Sequence, residues 1–142
     1  MISEPEKKIT SNQFGFGVED LFAQECEKRG IVLTKPAKPE AWDFTTNLGD
    51  RSLKIQVKGT STLVRNKDGF AYRFRCYRNT NPPRSYRDSG VDVIAGYVVP
   101  LARWHIFEAP PGLNKIHVTR NPTGKQRLAI GRWELVGGKN DQ

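Results

Sequence analysis

Sulfur and histidine are scarce in this chain of 142 residues, which holds two cysteines, one methionine and two histidines. Cys26 and Cys76 lack the paired spacing of a zinc site or of a disulfide framework. Each sits among apolar neighbours, so both are expected as buried free thiols in a reducing compartment. His105 and His117 stand apart without metal-ligand spacing and read as structural histidines. No stretch approaches the ~18 apolar residues of a membrane span, and the opening "MISEPEKKITS" is acidic and polar where a secretory leader is basic and then apolar. A cytoplasmic protein with no membrane segment is therefore expected. A glycine-rich phosphate loop is missing too, because "GFG" at Gly15 to Gly17 has neither a preceding strand nor a following Lys-Ser/Thr pair. ATP use is thereby disfavoured. No serine, histidine and aspartate order suggests a nucleophilic triad, and no internal repeat appears.

Acidic residues are missing from one region in particular. Between Arg51 and Arg87 ten basic residues face a single acid, Asp68, a net +9 that leaves −1 for the rest of a chain whose total is +8. A merely soluble surface mixes its signs, whereas a concentrated basic face suits a polyanion held by phosphate neutralisation. Nucleic acid is the first candidate partner.

The length suits one domain, since domains commonly run to about 100 to 150 residues. Residues 1–11 read as a loose tail, 12–136 as the domain and 137–142 as a frayed end. Asn12 is a candidate cap for a helix over about Phe16 to Arg29, stopped by Gly30. Val18, Leu21, Phe22 and Cys26 give that helix a buried face. Glu19 falls beside Cys26 on the edge of this face and Asp20 points away, so Glu19 is either an ordinary helix-edge acid or an acid looking into a cleft.

Downstream, "IVLT" reads as a short strand and "KPAKPE" as a proline-held connector. "WDFTT", the turn "NLGD" and "SLKIQVKGT" form a hairpin in which Leu53, Ile55 and Val57 alternate with Lys54, Gln56 and Lys58. In "GFAYRFRCYR", Phe70, Tyr72, Phe74 and Cys76 share one face, with Arg73, Arg75 and Tyr77 on the other. "NTNPPRSYRDSG" is a loop, "VDVIAGYVVP" and "RWHIFEAP" are two further strands, and "GKQRLAIGRWELVGG" has room for a short amphipathic helix. Trp42, Trp104 and Trp133 read as core or interface aromatics.

Residues i and i+2 share a strand face, so Gln56 and Lys58 stand side by side, and the neighbouring strand can bring Asp43 to them. Hard cations such as Mg²⁺, with Mn²⁺ as a substitute, take oxygen ligands and keep several waters. Asp43, the Gln56 amide oxygen, the Val57 carbonyl and a substrate phosphate suit such an ion. Lys58 would then hold or deprotonate the attacking water and balance charge developing on phosphorus.

Glu19 in a helix ending eleven residues later at Gly30, Asp43 beyond a strand, and the triplet Gln56-Val57-Lys58 together resemble the PD-(D/E)XK nuclease superfamily, with Gln in the (D/E) place. The continuation "YRDSGVDVIAGYVVPLARWHIF" is similar to the region after the catalytic strands in small group I intron homing endonucleases of that superfamily. The resemblance runs from about Phe14 to Phe107. It implies an α/β, restriction-endonuclease-like core whose central mixed β-sheet is flanked by helices, and metal-dependent hydrolysis of DNA phosphodiesters. Carried over, it makes Glu19, Asp43, Gln56 and Lys58 the catalytic set, with Glu19, Asp43, Gln56 and Val57 around the metal. Two positions depart from the pattern. Trp42 replaces the proline before Asp43, and Gln56 replaces an acid, which moves the site's negative charge onto Asp43 and Glu19.

Arg65, Lys67, Arg73, Arg75, Arg78, Arg84 and Arg87, interleaved with Tyr77 and Tyr86, are the candidate DNA-binding residues, more for phosphate than for base edges. One site per chain implies a homodimer or homotetramer for cutting both strands. A sequence-specific endonuclease of homing or restriction type is expected. A structure-specific enzyme of the Holliday-junction resolvase kind, taking branched DNA, and a non-catalytic DNA-binding module on the same fold are the alternatives.

Overall fold

Leu53, Ile55 and Val57, the apolar residues of the hairpin's second segment, lie at the centre of a four-stranded sheet. The computed structural model describes residues 11–67 and 69–140. Residues 1–10 of the expected N-terminal tail, the side chain of the expected Asn12 cap, and residues 141–142 fall outside the described residues. In chain order the elements are α1 (Ser11–Lys28), β1 (Phe44–Leu48), β2 (Arg51–Thr60), β3 (Leu63–Asn66), β4 (Gly69–Arg75), the two-residue strands β5 (Tyr77–Arg78) and β6 (Arg84–Ser85), β7 (Val93–Val98), β8 (Arg103–Glu108), β9 (Lys115–Val118) and α2 (Gly124–Leu128). Single 3₁₀ turns occupy Val99–Leu101 and Trp133–Val136.

The main sheet has the order β1-β2-β7-β8. β1 and β2 form the expected hairpin, tightened to a two-residue turn at Gly49 and Asp50 with Leu48 opposite Arg51. β7 returns parallel to β2, pairing Ile55 with Val93 and Val57 with Ala95, and β8 runs antiparallel beside it. The sheet is therefore mixed, as expected.

One face is covered by α1, whose Val18, Phe22 and Cys26 pack on Phe44, Ile55, Val57, Trp104 and Trp133. The Phe22 ring lies 5.5 to 5.9 Å from the rings of Phe44, Trp104 and Trp133, so this aromatic knot joins helix, sheet and C-terminal 3₁₀ turn. Trp104 and Trp133 are core residues, as read from sequence, and Cys26 and Cys76 are buried free thiols. Burial pushes the Cys26 thiol up to about 12 and the Cys76 thiol up to about 11, which keeps both protonated and unreactive.

The opposite face corrects the expectation of flanking helices. It is covered by a second, three-stranded sheet of order β3-β4-β9, and the only other α-helix among the described residues, α2, has five residues and buries none of them. Tyr72, Phe74, Val118 and Val98 form a compact cluster between the sheets. The approach is close at Gly96, where an added Cβ would come within 2.7 to 3.0 Å of the Phe74 ring. The alternating apolar face of β4 substitutes for a helix here because β9 completes it, with Val118 opposite Tyr72 and Ile116 opposite Phe74.

Other differences follow from what covers each residue. Phe70, expected on the buried face with Tyr72 and Phe74, is exposed, since β9 pairs only with Tyr72 to Arg75. Leu21 is also exposed, outside the aromatic knot. Ile31 to Thr34 makes a single bridge, Thr34 to Thr45, in place of a strand, and the Thr46 hydroxyl donates to the Val32 carbonyl. Gly138 donates to Trp133 and the Asn140 side chain accepts from the Glu134 N–H, so part of the expected loose C-terminal end is tied to the 3₁₀ turn. No helix among the described residues is long and apolar enough to cross a membrane.

The Gly96 contact gives a direct test of the two-sheet packing. Gly96→Ala should destabilise the fold by roughly 1 to 3 kcal/mol through overpacking against a fixed ring. Phe74→Leu added to that background should recover part of the loss, as read from urea midpoints. A Gly96→Ala protein unfolding at the wild-type midpoint would mean that the sheets do not meet there.

Candidate active site

β1 stops pairing regularly with β2 at Phe44 opposite Ile55, which leaves the N–H and C=O of Val57 on the open edge of β2. Buried backbone groups need partners, and side chains supply them. The Asp43 carboxylate accepts the Val57 N–H at 2.9 Å, while the Asp43 N–H donates to the Ile55 carbonyl at 2.8 Å. The Val57 carbonyl accepts from the Gln56 side-chain nitrogen at 3.2 Å. Asp43, Gln56 and Val57 thus meet where the hairpin opens.

Glu19 enters from the edge of α1, on the side that helical spacing assigned to it. Burial raises the Glu19 pKa first, and the charge of Asp43 raises it further, with a hydrogen bond between the two carboxyl groups adding to the shift. Asp43 is raised as well, because burial outweighs the lowering effects of the Val57 N–H, the Glu19 hydrogen bond, and the charges of Lys58 and Lys35. Both carboxyl groups are thus displaced toward the neutral form, with burial as the first cause at each.

Lys58 lies half-buried on the same strand face as Gln56, with its ammonium 4.9 Å above the Tyr86 ring. All four of Glu19, Asp43, Gln56 and Lys58 are therefore brought to one edge of β2. Lys35, in the connector before β1, was not singled out from sequence. No periodicity marks it, and only the path of the connector carries its charge to the carboxylates.

The candidate DNA-binding residues divide into groups. Arg73, Arg75 and Tyr77 line a cavity of about 320 Å³ together with Lys58 and Phe74, and the Arg75 guanidinium lies 5.6 Å from the Tyr77 ring. Lys115 lines the same cavity and was missed, although the outward Lys115 and His117 alternating with Ile116 and Val118 in "KIHV" carry a strand signal. Arg65 and Lys67 are exposed on and beside β3, and Arg78 faces Arg84 across the β5–β6 pair. Arg84 also donates to the Asp88 carbonyl at 2.6 Å. Arg87 is not brought to Lys58. It lines a separate cavity of about 500 Å³ whose walls include Arg51, Asp92, Glu108 and Glu134.

His105 is fully buried and plays no part in this edge. Its Nε2 accepts from Arg103 at 2.9 Å, and burial followed by the Arg103 charge pushes its pKa down to about 4, so it is neutral. That agrees with a structural histidine. Among the described residues no group of three or more His, Cys, Asp or Glu side chains is placed to hold a metal ion. Mg²⁺ does not require one, since it commonly uses one or two carboxylates with waters and substrate phosphate. The Glu19–Asp43 pair with the adjacent oxygens of Val57 and Gln56 fits that chemistry.

The raised carboxylates have a defined linkage. With both folded-state values above the unfolded ones, the folded protein binds more protons in the window between them, and stability falls as pH rises through it. Glu19→Gln should therefore stabilise the metal-free protein at neutral pH, and its advantage should vanish once pH falls below the ordinary carboxylate range near 4. Urea denaturation in chelator across that range measures this, and a difference that does not change with pH would show that the fold does not raise the Glu19 pKa.

Compared with solved structures, the chain is similar to a bacterial homing endonuclease, I-Ssp6803I, with a TM-score of 0.69 and 18% identity over 89% of this chain and 93% of that one. No family model and no curated protein matches the sequence. The likeness is one of fold, a mixed α/β architecture shared over nearly the whole length of both chains.

Proposed function

We propose that this protein is a Mg²⁺-dependent DNA endonuclease that hydrolyses phosphodiester bonds at a preferred sequence. The observation that carries the reading is the contact between Glu19 and Asp43 at the open edge of β2, where both carboxyl groups are raised toward the neutral form within reach of the Lys58 charge. A divalent cation held by the two carboxylates would relieve that frustration, and the arginines and lysines around the adjoining cavity suit a phosphate backbone. The fold shared with a homing endonuclease supports it.

Asp43 and Glu19 would hold the ion, with the Val57 carbonyl and the Gln56 amide oxygen completing the protein's share of ligands. When bound, Mg²⁺ supplies Lewis-acid stabilisation of the phosphoryl oxygens and lowers the pKa of a coordinated water. Asp43 is fixed by its hydrogen bond from Val57, so its free oxygen lone pairs are preoriented. Gln56 contributes a dipole without charge, and the anionic part of the site therefore rests on Asp43 and Glu19. Lys58, steered by the Tyr86 ring, would orient the attacking water and offset the charge that grows on the scissile phosphate. A break in both strands needs two copies of the chain acting on a near-palindromic target.

Supercoiled plasmid incubated with Mg²⁺ should be nicked or linearised, and incubation with chelator should leave it intact. Asp43→Asn and Lys58→Ala should each lower cutting by about 10²- to 10³-fold while retaining DNA binding. Variants that cut like wild type would remove the site assignment. Cleavage of four-way junctions alone would identify a resolvase-type enzyme, and binding without cutting under any divalent ion would identify a non-catalytic module. Mapping cut sites on random-sequence duplex tests the sequence preference, which an even distribution of cuts would contradict.

A further inference from the structure

We infer that the cavity between Lys58 and the β4–β9 ladder is a pocket for one backbone phosphate of the DNA, held jointly by Arg75 and Lys115. This rests on the nuclease reading for its neighbour, the bond that is cut, but its own support is separate. The β4–β9 register places Arg75 directly opposite Lys115 and Arg73 opposite His117. Like charges facing each other across a strand pair destabilise the pairing, so the arrangement needs a reason outside the fold.

Among the described residues no compensation is built in: neither Arg73, Arg75 nor Lys115 forms an ion pair with any of them, and none of the acids among them lines the cavity. The second cavity, with Arg51 and Arg87, is different because Asp92, Glu108 and Glu134 share its walls. The pocket's volume of about 320 Å³ is at the small end of ligand sites, which suits a single sugar-phosphate unit. Phe74 lies in its wall and Tyr77 stands beside Arg75, so apolar surface concentrates the field of the cations. Lys58 reaches the pocket from β2 and connects it to the carboxylate edge, so a strand lying in the pocket has an adjacent phosphate close to Glu19 and Asp43.

The test is the salt dependence of binding to a mixed-sequence duplex, measured in chelator so that nothing is cut. Arg75→Ala and Lys115→Ala should each lower the slope of log affinity against log salt by about 1. The double variant should lose the same amount, about 1, because the phosphate is held only when both cations are present, so removing either one already releases it. Lys125→Ala, an exposed lysine outside the cavity, should keep the wild-type slope. Thermal melts at low salt check folding independently, and Lys115→Ala should melt at or above wild type because it removes a repulsion. An unchanged slope for Lys115→Ala overturns the pocket, and a loss of about 2 in the double variant replaces it with two separate surface contacts. A protein that never cuts DNA yet shows these slopes retains the pocket and loses the nuclease reading. A protein that cuts while Lys115→Ala keeps the wild-type slope does the reverse.

Discussion

The site depends on a backbone problem, the unpaired edge of β2 at Val57. β1 leaves before it reaches this residue, and a half-buried N–H and C=O left without partners would each cost roughly 1 to 3 kcal/mol. Asp43 and Gln56 satisfy them from either side of the gap. The same chain uses the device a second time, because the Asp92 carboxylate accepts the Lys54 N–H at 2.9 Å at the start of the β2–β7 pairing. An aspartate on a strand edge is therefore not in itself chemical. What separates the two positions is their company: Asp92 has Arg51 at 3.5 Å, whereas Asp43 has Glu19.

Burial then decides the electrostatics. Desolvation is the largest cause of the upward shift at both Glu19 and Asp43, so α1 and the aromatic knot beneath it act on the site by excluding water. Lys58 and Lys35 only partly offset this. On the other side of β2, the second sheet brings Arg73, Arg75 and Lys115 to the same cavity as Lys58. The two buried carboxyl groups and the basic cavity thus lie at the same strand, with Lys58 common to both because its charge acts on Asp43 and its side chain lines the cavity.

Much of this was legible beforehand because strand and helix periodicities are short-range. Alternation located β2 and the Gln56–Lys58 face, and helical spacing placed Glu19 on the edge nearest the sheet. The two-sheet packing was not legible. Phe74 and Gly96 are far apart in sequence, and nothing local says that a glycine in β7 leaves room for a ring from β4. Phe70 was misjudged for the same reason, since burial on a correct face still requires a neighbour, and β9 ends short of it. Lys115 was missed because "KIHV" is too short for its alternation to stand out.

By itself, then, the sequence determined which residue types share a face, where the basic charge is concentrated, and that two acids and a lysine stand at the ends of elements able to converge. Only the tertiary structure decided that Glu19 meets Asp43, that Arg87 lines a different cavity from Lys58, and that a sheet in place of a helix covers the second face. The reason is one of range. Periodicity acts within a few residues, while desolvation and like-charge repulsion act between residues that are neighbours in space alone.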